Sequence, residues 1–191
     1  MEKFKVWLSA IRLRTLPLSI SGIIIGASFA HYNGFFDLEI FLFAILTTLS
    51  FQALSNLAND YGDGIKGTDN EDRIGPVRAI QSGKLTPEEL YDGIKVSILL
   101  SIGLSFILIM KAFGVHNFLY SVIFFVLAII AILSSIRYTV GRSAYGYRGF
   151  GDGFVFIFFG LLSVIGSYFL FAKQIDHIVI LPAIAIGLLS T

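Results

Sequence analysis

The chain has 191 residues, 55% hydrophobic and 14% charged, with a formal net charge of +1 and a mean hydropathy of +0.81. Soluble domains carry roughly 25% charged residues, so this composition cannot clothe a water-facing surface, and the near-zero charge excludes a nucleic-acid partner held by phosphate neutralisation. The absence of cysteine excludes disulfides, thiolate catalysis, zinc–cysteine sites and iron–sulfur clusters, and His31, His116 and His177 lack metal-ligand spacing.

In chain order, the first thirteen residues read as an amphipathic helix along a membrane surface, with Pro17 opening the first span. Apolar runs follow at Leu16–Tyr32, Ile40–Ala58, Leu90–Ala112, Asn117–Ile136 and Phe154–Ala172. Each is near the ~20 residues a helix needs to cross the hydrocarbon core. A sixth run starts at Ile178 and gives only about 21 Å of helix by Thr191. It reads as the opening of a helix belonging to a longer chain. The predicted fold is therefore all-α, a polytopic helix bundle with five spans and the start of a sixth. One integral-membrane domain covers residues 1–191.

Basic residues orient the bundle. Lys3, Lys5, Arg12 and Arg14 precede the first span. Lys66, Arg73, Arg78 and Lys84 lie in the second loop, and Arg137, Arg142 and Arg148 in the fourth. The opposite side has Lys111 and Lys173, while Lys95 falls inside a span. This asymmetry places the N-terminus, residues 59–84 and residues 137–153 in the cytoplasm. The plasma (inner) membrane is the expected location.

The end of the second span is the most informative stretch. Five acidic residues lie between Asp60 and Asp72. If the helix continues, Gln52, Asn56, Asn59, Asp60, Asp63 and Gly67 fall within about 100° of arc. Carboxylates beside hydrocarbon are costly unless they face a partner or an aqueous cavity. Oxygen ligands without His or Cys suit a hard cation such as Mg²⁺, which takes one or two carboxylates and leaves its other positions to water and phosphate. Lys66, Arg73 and Arg78 follow, and a diphosphate needs such cations beside the metal. A solvated polar loop and an ion pathway are the competing readings of the same residues.

Thr86-Pro87-Glu88-Glu89 reads as a helix start with Thr86 as cap, and Asp92–Lys95 as an i,i+3 pair. The fourth loop, Arg137 to Gly153, is rich in Arg, Tyr and Gly. Its Gly-x-Gly-x-Gly pattern has no preceding strand, which excludes a dinucleotide fingerprint. Aromatic faces there could shield a carbocation. Asp152 could ligate metal, orient an arginine or act as a base.

Three segments carry a resemblance to a known family. They are Arg14-Thr15-Leu16-Pro17, then Asn56-x-x-Asn59-Asp60-Tyr61-x-Asp63 with Gly67-x-Asp69-x-x-x-Arg73-x-Gly75-Pro76, and Tyr147-Arg148-Gly149-x-Gly151-Asp152. The chain resembles the UbiA-type intramembrane prenyltransferases, and within them the branch acting on 1,4-dihydroxy-2-naphthoate. The resemblance implies about nine helices and a second Asp-rich motif after the sixth. A chain ending at Thr191 would then hold half of the metal–diphosphate site and be inactive alone. Gly67 stands where the general pattern has its last Asp, with Asp69 two residues on.

The resemblance also implies transfer of a polyprenyl group from polyprenyl diphosphate to 1,4-dihydroxy-2-naphthoate in the bilayer, with loss of pyrophosphate and CO₂, giving demethylmenaquinol for menaquinone biosynthesis. Asp60, Asp63 and Asp152 are the implied catalytic carboxylates. Asn59 and Asp63, supported by Asp60 and Asn56, are the implied Mg²⁺ ligands. Lys66, Asp69 and Arg73 would bind diphosphate, and Tyr145, Tyr147 and Arg148 the aromatic acid. The alternatives are another aromatic acceptor (4-hydroxybenzoate or homogentisate), a carboxylate-coupled transporter, and an assembly subunit without chemistry.

Overall fold

The structure, a computed structural model, describes residues 2–68, 78–141 and 144–191. Helix α1 spans Glu2–Ile11 and stops at Arg12, whose φ of 57° and ψ of 61° are left-handed. A single 3₁₀ turn, Leu13–Thr15, leads into α2, Leu16–Tyr32, with Pro17 in its first turn. There the missing N–H of proline costs no helical bond.

Helix α3 spans Leu38–Lys66. Asp37 caps it by accepting from the N–H groups of Glu39 (2.8 Å) and Ile40 (3.0 Å). Its far end runs two turns past the apolar segment before Gly67, with φ 69°, closes it. Helix α4, Pro87–Phe113, opens with a complete capping box between Thr86 and Glu89. The Asp92–Lys95 pair forms at 2.7 Å. Helix α5 spans Phe118–Arg137, α6 spans Gly151–Ala172, and α7 spans Ile180–Ser190. Among the described residues, five helical segments are long and apolar enough to cross a bilayer, the first of them running through α1 and α2.

Lipid is as apolar as leucine, so membrane helices associate by close packing rather than by the hydrophobic effect. Helix α2 shows how. Its buried face includes the small residues Ser19, Gly22, Gly26, Ala27 and Ala30. A Cβ on Gly22 would lie 2.2 Å from Ser163 Oγ, and one on Gly26 only 2.0 Å from Ser167 Oγ. Ser163 lies within the stretch of α6 that is wound as a π-helix, Phe156–Gly166, and Ser167 follows it. Gly160 of the same stretch meets Gly187 of α7.

Buried side chains form two clusters. One, with Ile23, Ala27, Ala44, Leu108, Phe113, Val164 and Tyr168, joins α2, α3, α4 and α6 in the half of the bundle holding the α2–α3 turn. Asn33 Nδ2 donates to the Tyr168 hydroxyl there, at 2.8 Å. The other, with Ala10, Leu54, Leu57, Ala58, Leu90 and Ile94, fastens α1 to α3 and α4. Trp7 of α1 seats against Gly93, where a Cβ would come within 2.6 Å of the indole. Lys3 pairs with Glu89 at the same joint.

Candidate active site

Between the clusters lies a cavity of about 430 Å³, walled mainly by apolar side chains of α2 to α6. Arg12, Gln52, Asn56 and Asn59 line one end, and Tyr138 and Tyr145 also face it. Its walls extend past Ala44, Thr47 and Leu108 to Leu170.

The polar stripe predicted on α3 forms, and its partners divide it into two flanks. On the α1 side, Asp60 is 1% exposed. It accepts from Arg12, and Arg78 Nη1 lies 3.3 Å from the same oxygen. Asn56, one turn earlier, donates to the Ile11 carbonyl at 2.6 Å and to Thr15 Oγ1 at 3.3 Å, and accepts from Gln52 at 3.3 Å. Asn56 and Asp60 thus fasten the α1–α2 corner to α3. The left-handed backbone at Arg12 supplies the reversal this corner needs; such strain persists where surrounding contacts over-determine it.

On the other flank, Asn59, Asp63 and Lys66 point toward the α5–α6 connection. Thr139 Oγ1 donates to the Ala58 carbonyl at 3.0 Å and to Asn59 Oδ1 at 3.2 Å. Tyr147 donates its hydroxyl to Asp63 Oδ1. Lys66 donates to the Thr139 carbonyl at 2.8 Å, and its ammonium lies 4.0 Å above the Tyr147 ring. A Cβ on Gly62 would lie 2.6 Å from Thr139 Oγ1, so glycine is what lets this strand of chain approach.

Tyr145 faces the cavity from the 3₁₀ turn Tyr145–Arg148. Its hydroxyl donates to the Ser134 carbonyl at 2.9 Å, and its ring stacks on Phe154 with centroids 4.1 Å apart. Burial pushes its phenol up to about 12, the neighbouring Tyr138 adds to this, and the bond to Ser134 acts in the opposite direction. Arg148 and Asp152 are exposed, at the end of that turn and in the first turn of α6. Asp69 and Arg73 lie outside the described residues.

The structure therefore brings Asn59, Asp63, Lys66 and Tyr147 into one group, with Tyr145 at the cavity beside it. Asn56 and Asp60 form a second, and Arg148 and Asp152 stand apart from both. Arg12 and Thr139 belong to the site without having been singled out. Arg12, set between Ile11 and Leu13, was a readable signal; Thr139 offered none. Among the described residues, no three His, Cys, Asp or Glu side chains gather as a metal cluster. One carboxylate and one carboxamide, Asp63 and Asn59, fit a Mg²⁺ ion that takes few protein ligands and completes its shell with phosphate and water.

The described helices form an apolar bundle of membrane-spanning type that encloses a cavity with oxygen donors and a cation at one end. The chain belongs to the UbiA prenyltransferase family, which it matches over residues 19–191. It is 44% identical to the 1,4-dihydroxy-2-naphthoate octaprenyltransferase of Escherichia coli (strain K12), over all of this chain and 61% of that protein. The Haemophilus influenzae protein of the same name is also 44% identical, over all of this chain and 62% of its own length. The Mycobacterium tuberculosis protein of that name is 34% identical over the same shares. The chain thus spans about three-fifths of the length of these relatives. No solved structure matches it. It is a multi-pass membrane protein, as its five apolar helices and its family require.

Proposed function

We propose that the protein to which these residues belong transfers a polyprenyl group from polyprenyl diphosphate to 1,4-dihydroxy-2-naphthoate, releasing pyrophosphate and CO₂ and giving demethylmenaquinol. The observation that carries this reading is the Asn59–Asp63–Lys66–Tyr147 group, which begins with Asn59 at the polar end of an apolar cavity and continues along α3 through Asp63 and Lys66. The relatives' names indicate the same donor class and acceptor.

In this reading the isoprenoid tail lies in the cavity and its diphosphate beside α3. Asp63 and Asn59 would hold Mg²⁺, with Asp60 and Asn56 supporting from the adjacent flank, and the metal would supply positive charge to offset that developing on the departing pyrophosphate. Lys66, Asp69 and Arg73 complete the diphosphate site. Asp60 acts through Arg12 and Arg78, holding both guanidinium groups in fixed positions. The C–O bond breaks with its electron pair leaving on pyrophosphate, and the allylic cation is attacked by the electron-rich naphthoate ring. No covalent enzyme intermediate is needed.

Tyr147 holds Asp63 and, together with Lys66, closes the connection over α3. Tyr145, whose aromatic ring lines the cavity, would stand beside the cation that forms there. Arg148 receives the aromatic carboxylate, and Asp152 is the candidate base. The excess of Lys and Arg at this end of the bundle supports a cytoplasmic orientation, in the inner membrane.

The test is pyrophosphate release in membranes by a protein of the relatives' length containing these residues. Polyprenyl diphosphate, Mg²⁺ and either dihydroxynaphthoate or 4-hydroxybenzoate are supplied. Release with dihydroxynaphthoate, lost in Asp63→Ala and on chelation of Mg²⁺, is expected. Full activity in Asp63→Ala would remove this residue from the site. Preference for hydroxybenzoate would move the protein to another branch of the family.

A further inference from the structure

The α1 flank of Asp60 opens into a second cavity, of about 860 Å³, which the transfer reaction leaves unused. Five cations line it: Lys5 from α1, Arg12 and Arg14 from the α1–α2 corner, and Arg78 and Lys84 from the connection before α4. Asp60 is the one carboxylate among its lining residues. It is already engaged by Arg12 and Arg78. Lys5, Arg14 and Lys84 are exposed, and no carboxylate among the described residues pairs with them. Among the described residues, Lys5, Arg14 and Lys84 therefore give the cavity positive charge that no carboxylate answers.

Apart from Ser9 and Ser82, its remaining wall is apolar. Leu8 and Leu13 line it, and Leu13 is 51% exposed although it sits among arginines. A free phosphate has no use for that surface, whereas an anionic headgroup with acyl chains attached uses both parts. Arginine forks suit phosphate oxygens, and basic residues on an interfacial helix attract anionic lipid. We infer that the cleft between α1 and residues 78–84 binds the phosphate headgroup of an anionic phospholipid, whose chains run along Leu8 and Leu13. This site lies across α3 from Asp63 and does not depend on the activity proposed above. Through Arg12 and Asp60 it touches the structure that fixes the polar end of the first cavity.

The experiment uses the 191-residue chain in nanodiscs of phosphatidylcholine alone or mixed with phosphatidylglycerol. Retained lipid is counted by native mass spectrometry and the unfolding midpoint is measured in parallel. Phosphatidylglycerol is expected to be retained and to raise the midpoint. Lys5→Gln/Arg14→Gln/Lys84→Gln should weaken retention on the order of a hundredfold, at about fivefold per charge removed. Lys5→Arg/Arg14→Lys/Lys84→Arg should restore it. The matched variant Lys95→Gln/Lys111→Gln/Lys173→Gln should behave as wild type. Equal loss in the two glutamine variants would reduce the effect to diffuse surface charge and overturn the site. Retention that survives the first variant would overturn it as well. Displacement by inorganic phosphate at concentrations matching phosphatidylglycerol would show an anion site indifferent to lipid, which also overturns the proposal. The midpoint in phosphatidylcholine alone, expected unchanged in every variant, confirms that each has folded.

Discussion

Asp60 is 1% exposed, a position in which a carboxylate without partners would be costly to bury. Two arginines make it tolerable, and Asp60 in turn makes them tolerable. Asp60→Ala leaves both guanidinium groups without their shared counter-ion, a loss of about 3–5 kcal/mol for a buried pair broken from one side. Asp60→Leu combined with Arg12→Met is expected to recover part of that loss, because it removes a charge from each side. Thermal unfolding in detergent measures both, and an unshifted midpoint in Asp60→Ala would contradict the buried pairing.

Tyr145 gives a pH-dependent expectation. Its phenol is held up to about 12, chiefly by burial. In the unfolded chain the same proton leaves near 10. The resulting contribution to stability is whole below pH 10 and is lost as the pH rises toward 12. The stability difference between wild type and Tyr145→Phe should therefore be flat to about pH 10 and then shift against the wild type. A difference that stays flat to pH 12 would show an ordinary phenol.

Among the elements, the contact of α2 with α6 depends on missing side chains. Gly22 and Gly26 admit Ser163 and Ser167 so closely that any Cβ collides. Gly26→Leu is expected to separate the helices and lower the unfolding midpoint sharply, whereas Gly103→Ala, with nothing within 4 Å, should be neutral. Equal midpoints for the two variants would mean that the helices do not touch there. The caps are legible at this scale, because capping is local. Thr86-Pro87-Glu88-Glu89 forms its box and Asp92 finds Lys95. The seat of Trp7 on Gly93 could not be read that way, since neither residue carries a mark that names the other.

For the whole molecule, the cavity is the decisive feature, and its width is set by five helices at once. Ala128 of α5 lines it. Ala128→Phe is expected to narrow the cavity and shift the protein of the relatives' length toward shorter prenyl donors. Product chain lengths from geranyl and octaprenyl diphosphate, compared at equal concentration, measure the shift. An unchanged preference would place the tail elsewhere.

The sequence by itself determined the all-helical membrane bundle, the positions of its spans, the start of α4 and the polar stripe on α3. Each of these follows from periodicity, apolar length or capping chemistry within a few turns of chain, so one segment contains the whole cause. Only the tertiary structure decided that the stripe serves two flanks. Asn56 and Asp60 join the α1–α2 corner, while Asn59, Asp63 and Lys66 join the α5–α6 connection. The arc that holds these residues, Lys66 included, is about 120° wide, and it is the neighbouring segments, arriving from 45 to 84 residues away in sequence, that settle which carboxylate meets a cation and which meets a tyrosine.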